Sequence, residues 1–369
     1  MKLTNRPEKY LRYIIPPGLL GTDRTRRILA KGPIEAPKRK DADHTHITAY
    51  DYNGADLKEF DLKSVEETFP FKNNGRVTWI NIDGLRKVDV EKIAVHFGIH
   101  PLIAEDILSM NQRPKMDEVE GVLYCLLNML YFNEAHGGVE QEQISIVLGR
   151  DFVITFQEDP DRDVLNPLRE RLRQTTSKLR QRTADYLCYS MLDLIVDSYL
   201  IVIEKVGERI ESLEEEVARR ANTIILARIN QLRKELIILK RNIAPVRDLV
   251  AGIIRSESEL LEESTTKYFK DVHDHIMQAY DLTDNYRDVM MNLQDLYYNN
   301  INMKTNEAMK VIAIVTCLLA PATVIGGIFG MNFDVIPTAH NQFGFFTAVS
   351  FMLIIPIIML VIFKRRGWF

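Results

Sequence analysis

Apolar residues follow three different rhythms along this chain. Between residues 44 and 160, short runs rich in β-branched and aromatic residues alternate with short helix-like runs. Residues 46–52, 77–82, 122–132, 143–148 and 152–157 read as strands, with Gly-Arg-Asp at 149–151 as a hairpin turn between the last two. Residues 88–97 and 101–108 read as short helices. The alternation predicts an α/β or α+β domain built on a mixed sheet.

From about residue 162 the strand signals stop. Leu187, Met191, Leu194, Tyr199, Val202, Val206, Ile210, Leu213 and Val217 recur at mostly helical spacing, which predicts a long amphipathic helix. Ala221-Asn222-Thr223 reads as a turn. Ile229, Leu232, Leu236 and Leu239 then predict a returning helix with Pro245 close to its end, so residues 161–257 read as an antiparallel helical hairpin. A third helix is expected from near Ser258, and Pro321 is the only proline between there and Gly330. If unbroken, at about 1.5 Å per residue it would be on the order of 100 Å long, a stalk that mechanically couples the soluble domain to the C-terminal end of the chain.

The third rhythm is continuous. Residues 311–330 and 343–363 are apolar and carry no charge. Roughly 20 apolar residues in a helix match the roughly 30 Å hydrocarbon core of a bilayer, so both stretches predict membrane spans. Residues 331–342 form the loop between them, and 364–369 a basic tail. A single two-helix hairpin cannot enclose a water-filled path. It either anchors the large domain or lines a pore together with copies of itself.

Charge placement orients the hairpin. Lys304 and Lys310 precede the first span, and Lys364, Arg365 and Arg366 follow the second. The loop has no Lys or Arg and carries Asp334. Lysine and arginine favour the cytoplasmic side, so both ends are expected inside and the loop outside. Residues 1–43 read as a basic, mobile tail: the first 40 hold eleven Lys/Arg against three acids, with five prolines. A whole-chain net charge of −4 gives nucleic acid no obvious surface to bind. Cys125, Cys188 and Cys317 lie in apolar surroundings without metal-type spacing and read as reduced packing residues. There is no P-loop, GxSxG or HExxH sequence, so no enzymatic activity is expected.

Two groups of polar residues are candidates for ion chemistry. Gly330-Met331-Asn332 ends the first span. Gly330 is either a helix terminator with Asn332 a turn residue, or Asn332 aims its amide oxygen at a central axis. A ring of amide oxygens suits a hydrated hard cation, because Mg²⁺ sheds its waters reluctantly, and Asp334 would add negative charge. Thr323 either lines such a path or bonds back to its own helix. The absence of ionisable residues inside either span argues against a proton relay. The second group is cytoplasmic: Glu105-Asp106 near the end of a short helix, and Asp271-Val-His-Asp-His275 on the stalk, where Asp271 and His275 share a face. Such clusters are often plain solvated faces.

Several of these segments together resemble the CorA magnesium transporter family. They are Lys304-Thr-Asn-Glu-Ala-Met-Lys-Val311, Pro321-Ala-Thr323, Gly330-Met-Asn-Phe-Asp334 and the tail Lys364-Arg-Arg-Gly-Trp-Phe369. His100-Pro-Leu-Ile-Ala-Glu-Asp-Ile-Leu108, Leu213-Glu-Glu-Glu216 and Tyr268-Phe-Lys-Asp-Val-His-Asp-His275 extend the likeness through the soluble part. The resemblance implies a homopentameric funnel in the cell membrane. Each subunit would have an α/β cytoplasmic domain with a mixed sheet, a long helical stalk at 258–330 whose membrane part lines the pore, and a lipid-facing second span. It places Asn332 in the outer selectivity ring, Thr323 and Asn306 at polar pore positions, and Met309, Ile312 and Ala320 at the hydrophobic constriction. Asp271 of one subunit and Glu105-Asp106 of the next would sense cytoplasmic Mg²⁺, with His275 and Asp193 as further ligand candidates. Transport of Mg²⁺, with Co²⁺ or Ni²⁺ as further ions, would be driven by membrane potential.

Some positions depart from the family pattern. The external loop commonly continues Met-Pro-Glu-Leu, whereas residues 336–339 here read Ile-Pro-Thr-Ala, so the second acid is missing. Ala320 is small for its place, and His273 leaves a softer metal open at the sensor. The alternatives are a zinc transporter on the same architecture and a membrane-anchored regulatory scaffold.

Overall fold

The computed structural model describes residues 41–110, 112–134, 137–159, 164–219, 222–332, 334, 336 and 341–368. All but the last residues of the basic tail, and much of the 331–342 loop, lie outside them. The chain divides into two units, one reaching Glu204 and including Ile237–Thr283, the other comprising Lys205–Leu236 and Asp284–Phe369.

The first unit holds a seven-stranded sheet: β1 (His46–Tyr52), β2 (Leu57–Leu62), β3 (Val77–Asp83), β4 (Lys115–Val119), β5 (Val122–Asn133), β6 (Gly138–Leu148) and β7 (Phe152–Gln157), in the order β2-β1-β3-β7-β6-β5-β4. Among the described strands β3 and β7 pair in parallel and the other neighbours antiparallel, so the sheet is mixed as expected. β7 is buried at every residue and β5 at its first nine, which explains their near-continuous apolar sequences: both sheet faces are covered. The edge strands β2 and β4 escaped the sequence reading. Their Lys58, Glu59, Asp61, Asp117 and Glu118 break the apolar alternation, and charge on an edge discourages pairing with other chains. Glu120 and Gly121, with φ of 53° and 78°, turn β4 into β5 through a two-residue loop.

Two short helices, α1 (Lys87–Phe97) and α2 (Pro101–Leu108), pack their apolar residues against the sheet. Gly98, at φ 77°, ends α1, and Pro101 starts α2. A further short helix, α3 (Asn166–Arg173), precedes α4 (Ala184–Arg219) and α5 (Thr223–Arg255). In the first unit a chain of amides, buried at Asn128 and Asn242, holds α5 to the sheet. Asn128 Nδ2 donates to Asn242 Oδ1 at 2.7 Å, and Asn242 Nδ2 donates to Gln141 Oε1 at 3.0 Å. Pro245 does not mark the end of α5, which continues ten residues further to Arg255. The buried side chains Val246, Leu249, Val250 and Ile253 account for that continuation, since packing outweighs one lost backbone bond. Cys125 and Cys188 are buried free thiols, consistent with packing roles.

Helix α6 (Glu263–Phe329) is unbroken over 67 residues and carries Pro321 internally. It starts five residues later than Ser258 because the preceding serines are engaged elsewhere: Ser256 and Ser258 both donate to the Glu118 carboxylate, at 3.0 and 2.6 Å. In the second unit α4 and α6 approach closely at Gly207, where an added Cβ would lie 2.2 Å from the Tyr286 hydroxyl. Asn300 Nδ2 donates to Val217 O at 2.8 Å in the same unit. Helix α7 (Gly344–Arg365) completes the second unit's helices.

Among the described residues three helices are long and apolar enough to cross a bilayer: α4, α6 and α7. Burial separates them. The most apolar stretch of α4 is 67% buried within the chain, against 6% for α6 and 0% for α7. α4 is a core helix, and α6 and α7 carry the uncovered apolar surface.

Candidate ion pathway and cation cluster

The apolar C-terminal part of α6 carries its candidate residues, together with Thr316, on one face. At about 100° per residue, Asn306, Met309, Ile312, Thr316, Ala320 and Thr323 fall within an arc of about 120°. All six are exposed in the single chain, Met309 by 64% and Ile312 by 65%. Ile314, on roughly the opposite side, is buried. The stripe is polar at Asn306, apolar at Met309 and Ile312, and hydroxyl-bearing at Thr316 and Thr323. Each threonine hydroxyl donates back to its own helix, Thr316 to Ile312 O at 2.8 Å and Thr323 to Leu319 O at 3.1 Å. The local reading of Thr323 therefore holds, and its oxygen still has lone pairs to offer to the stripe.

At the end of α6, Gly330 N–H donates to Gly326 O at 2.9 Å, and Met331 N–H to Ile328 O at 3.3 Å. A Cβ on Gly330 would meet Gly326 O at 3.1 Å, so glycine permits this tight last turn. Met331, Asn332 and Asp334 come next, all exposed. Gly326 faces α7, where its added Cβ would sit 3.8 Å from Met352 Cε, the usual role of a small residue between membrane helices.

The first unit gathers a second group of ligating side chains. Asp193 and Asp197, one turn apart on α4, meet His275 of α6, each with a ligand atom within 4.8 Å of the others'. His275 Nδ1 lies 3.2 Å from Asp197 Oδ1 and 4.0 Å from Asp193 Oδ1. Burial pushes the Asp193 carboxyl above its usual range, and the Asp197 charge pushes it in the same direction. His275 and Asp271 also act on it electrostatically, in opposite directions. Tyr189 reaches toward Asp193 Oδ2 at 3.5 Å, and burial keeps its phenol protonated. Asp197 was not a sequence candidate, although its i, i+4 spacing from Asp193 was available to read. His273 points elsewhere, 3.9 Å from Asp274. Two carboxylates and an imidazole suit Co²⁺, Ni²⁺ or Zn²⁺ as direct ligands better than Mg²⁺, which takes oxygen donors and keeps its waters.

Glu105 and Asp106 lie in the last turn of α2, where a helix end disfavours negative charge. Lys115 Nζ answers Asp106 at 2.6 Å and also reaches Asp117 at 3.0 Å. Burial lowers the Lys115 pKa, but its two carboxylate partners outweigh that and leave it raised. The exposed Glu105 carboxylate has no such partner among the described residues. Within one chain, and among the described residues, neither Glu105 nor Asp106 bonds to Asp271, which is exposed on α6.

The sequence from residue 74 to 365 matches the model of a family described as CorA-like Mg²⁺ transporter protein. The chain belongs to the CorA-like Mg²⁺ transporter family. It is 38% identical over 323 residues to the cobalt/magnesium transport protein CorA of Thermotoga maritima, across 87% of this chain and 92% of that one. It is 29% identical to the putative metal ion transporter YfjQ of Bacillus subtilis, across 79% and 89% of the two chains. The fold is similar to that of the CorA magnesium transporter of Methanocaldococcus jannaschii, with a TM-score of 0.74 at 24% identity, covering 88% of this chain and 98% of that one. As a CorA-like chain it is a membrane protein of a transporter family, with its apolar helices at the C-terminal end.

Proposed function

We propose that this protein is a divalent cation influx channel of the cell membrane, carrying Mg²⁺ and, less selectively, Co²⁺ and Ni²⁺. Its membership of the CorA-like family supports the ion class. The observation that carries the pore reading is the stripe on α6. A helix with polar, apolar and hydroxyl residues on one exposed face, ending at Gly330-Met331-Asn332, has the pattern of a pore wall completed by copies of itself. Five subunits would place the Asn332 amides in an outer ring that reads the hydrated ion, with Asp334 beside it concentrating cations. Met309 and Ile312 would form the constriction that closes by losing its water, with Ala320 widening the path above it. Both termini would be cytoplasmic.

Closure rests on carboxylates. Asp271 of one subunit would share Mg²⁺ with Glu105 and Asp106 of the next, with Lys115 holding Asp106 until the ion arrives. The ion neutralises the repulsion and favours the closed assembly; its loss releases it. The Asp193–Asp197–His275 group lies four residues along α6 from Asp271 and gives the same region a subsite for softer metals. Influx needs no nucleotide: two charges crossing about 100 mV gain roughly 4.6 kcal/mol.

Flux into proteoliposomes under an imposed potential, compared for Mg²⁺, Co²⁺, Ni²⁺ and Zn²⁺, tests this reading. Potential-driven Mg²⁺ entry is expected. Zinc movement driven by a proton gradient, with no Mg²⁺ entry, would replace it with a zinc transporter, and no flux of any ion would leave the scaffold reading.

A further inference from the structure

The end of α7 is more elaborate than orienting the chain in a membrane requires. Gly367 N–H donates to Lys364 O at 3.2 Å and Trp368 N–H to Phe363 O at 3.0 Å, with Gly367 at φ 71°. These two bonds are the glycine-closed helix end in which the residue after the glycine folds back onto the last turn. Trp368 does so: its ring lies flat on Phe363, with centroids 5.1 Å apart and planes 9° from parallel. Lys310 Nζ of α6 reaches Gly367 O at 3.4 Å, which adds a fourth cation to Lys364, Arg365 and Arg366. Among the described residues none of these four cations pairs with a carboxylate, and the three at the end of α7 are exposed. Asp and Glu are absent from α7 altogether.

Positive charge alone would bias topology. It would not require a tryptophan pinned at the level of the last apolar turn. Indole favours the boundary between acyl chains and headgroups, where one side is apolar and its N–H is wet. Unpaired lysine and arginine at the cytoplasmic end of a span attract anionic headgroups, and guanidinium forks match phosphate oxygens. The negative pole of the helix opposes an anion there, but amounts to about half a charge against four cations.

We propose that Lys364, Arg365 and Arg366, with Lys310 and the folded-back Trp368, form a binding site for the phosphate of an anionic phospholipid. The site is separate from the ion pathway and rests only on α7 spanning the bilayer.

Tryptophan fluorescence gives a direct test on the full chain. Only two tryptophans are present, and Trp79 is fully buried in the sheet domain, so bromine atoms on acyl chains report on Trp368. The protein is reconstituted in vesicles containing brominated phosphatidylglycerol or brominated phosphatidylcholine at equal fraction. Quenching should show a preference for phosphatidylglycerol on the order of three- to tenfold. The preference should collapse in the wild-type protein at roughly 1 M salt, where screening acts within about 3 Å. It should approach parity in the variant K364Q/R365Q/R366Q. Equal quenching by both lipids in the wild type overturns the proposal, as it would if these cations face a neighbouring subunit. So does a preference that survives both high salt and the triple substitution. The salt arm stands if the variant does not insert.

Discussion

Helices α4 and α6 are both apolar enough to enter a bilayer, yet they meet different surroundings. α4 covers its apolar stretch with its own chain: Leu187, Met191, Ile195, Tyr199 and Val206 are fully buried. The corresponding stretch of α6 leaves Met309, Ile312, Val315 and Leu319 at least half exposed. Composition alone does not distinguish a core helix from a membrane helix; what covers the apolar face does. Among the described residues nothing covers the α6 stripe or α7, which leaves apolar surface of the kind that lipid or a partner chain covers.

The contrast is broken most severely by removing side-chain volume. Ile195→Ala in α4 should lower stability by about 2–5 kcal/mol, because a packed site is left with a cavity. Ile357→Ala in α7, where the side chain is 58% exposed, should change it by less than about 0.5 kcal/mol. Thermal unfolding of the detergent-solubilised protein reads both. Equal losses would mean that α7 is packed as tightly as α4.

A smaller effect is expected at the stripe. Met309→Asn with Ile312→Asn places polar groups where water must be expelled for closure. Resting ion flux at high internal Mg²⁺ should rise by on the order of tenfold, about 1.4 kcal/mol of closed-state preference. Unchanged resting flux would move the constriction elsewhere on α6.

The smallest effects concern the carboxylates. Asp271→Ala should raise the Mg²⁺ concentration that closes the channel by several-fold, read as flux against internal Mg²⁺; an unchanged closing concentration would count against the shared site. Asp193 adds a pH signature. Its carboxyl is raised by burial and by Asp197, so its protonated form is favoured in the folded chain. Its contribution to stability is thus full below the ordinary carboxylate value and is lost as pH rises through the raised one. A cation binds the ionised form, so Co²⁺ affinity, measured by calorimetry, should rise with pH across that window. Asp193→Asn should flatten the rise; an unaltered pH dependence in that variant would remove Asp193 from the site.

The sequence was readable where a single force acts on a segment. β7 and most of β5 are buried on both faces and read as apolar runs; the two spans face an apolar surrounding and read as uncharged ones. It was less readable where two forces compete. β2 and β4 belong to the sheet by hydrogen bonding but carry edge charges that resemble a loop. α5 runs through Pro245 because its buried side chains outweigh the missing N–H. Ser256 and Ser258 look like a helix start but are drawn to Glu118, a residue distant in sequence. The cation cluster shows the same limit. Asp193 and Asp197 are neighbours by helical spacing on α4, whereas His275 joins them only when α4 and α6 come together in the first unit. The α6 stripe needed no tertiary information, since it is a property of one unbroken helix.

The central claim is that α6 lines an ion path with Asn332 at its outer end. Potential-driven Mg²⁺ flux in proteoliposomes, compared between the wild type and Asn332→Ala with equal protein incorporation, measures it most directly. The wild type should conduct, and the variant should lose nearly all flux while still inserting and assembling. Equal Mg²⁺ flux through both proteins would contradict it.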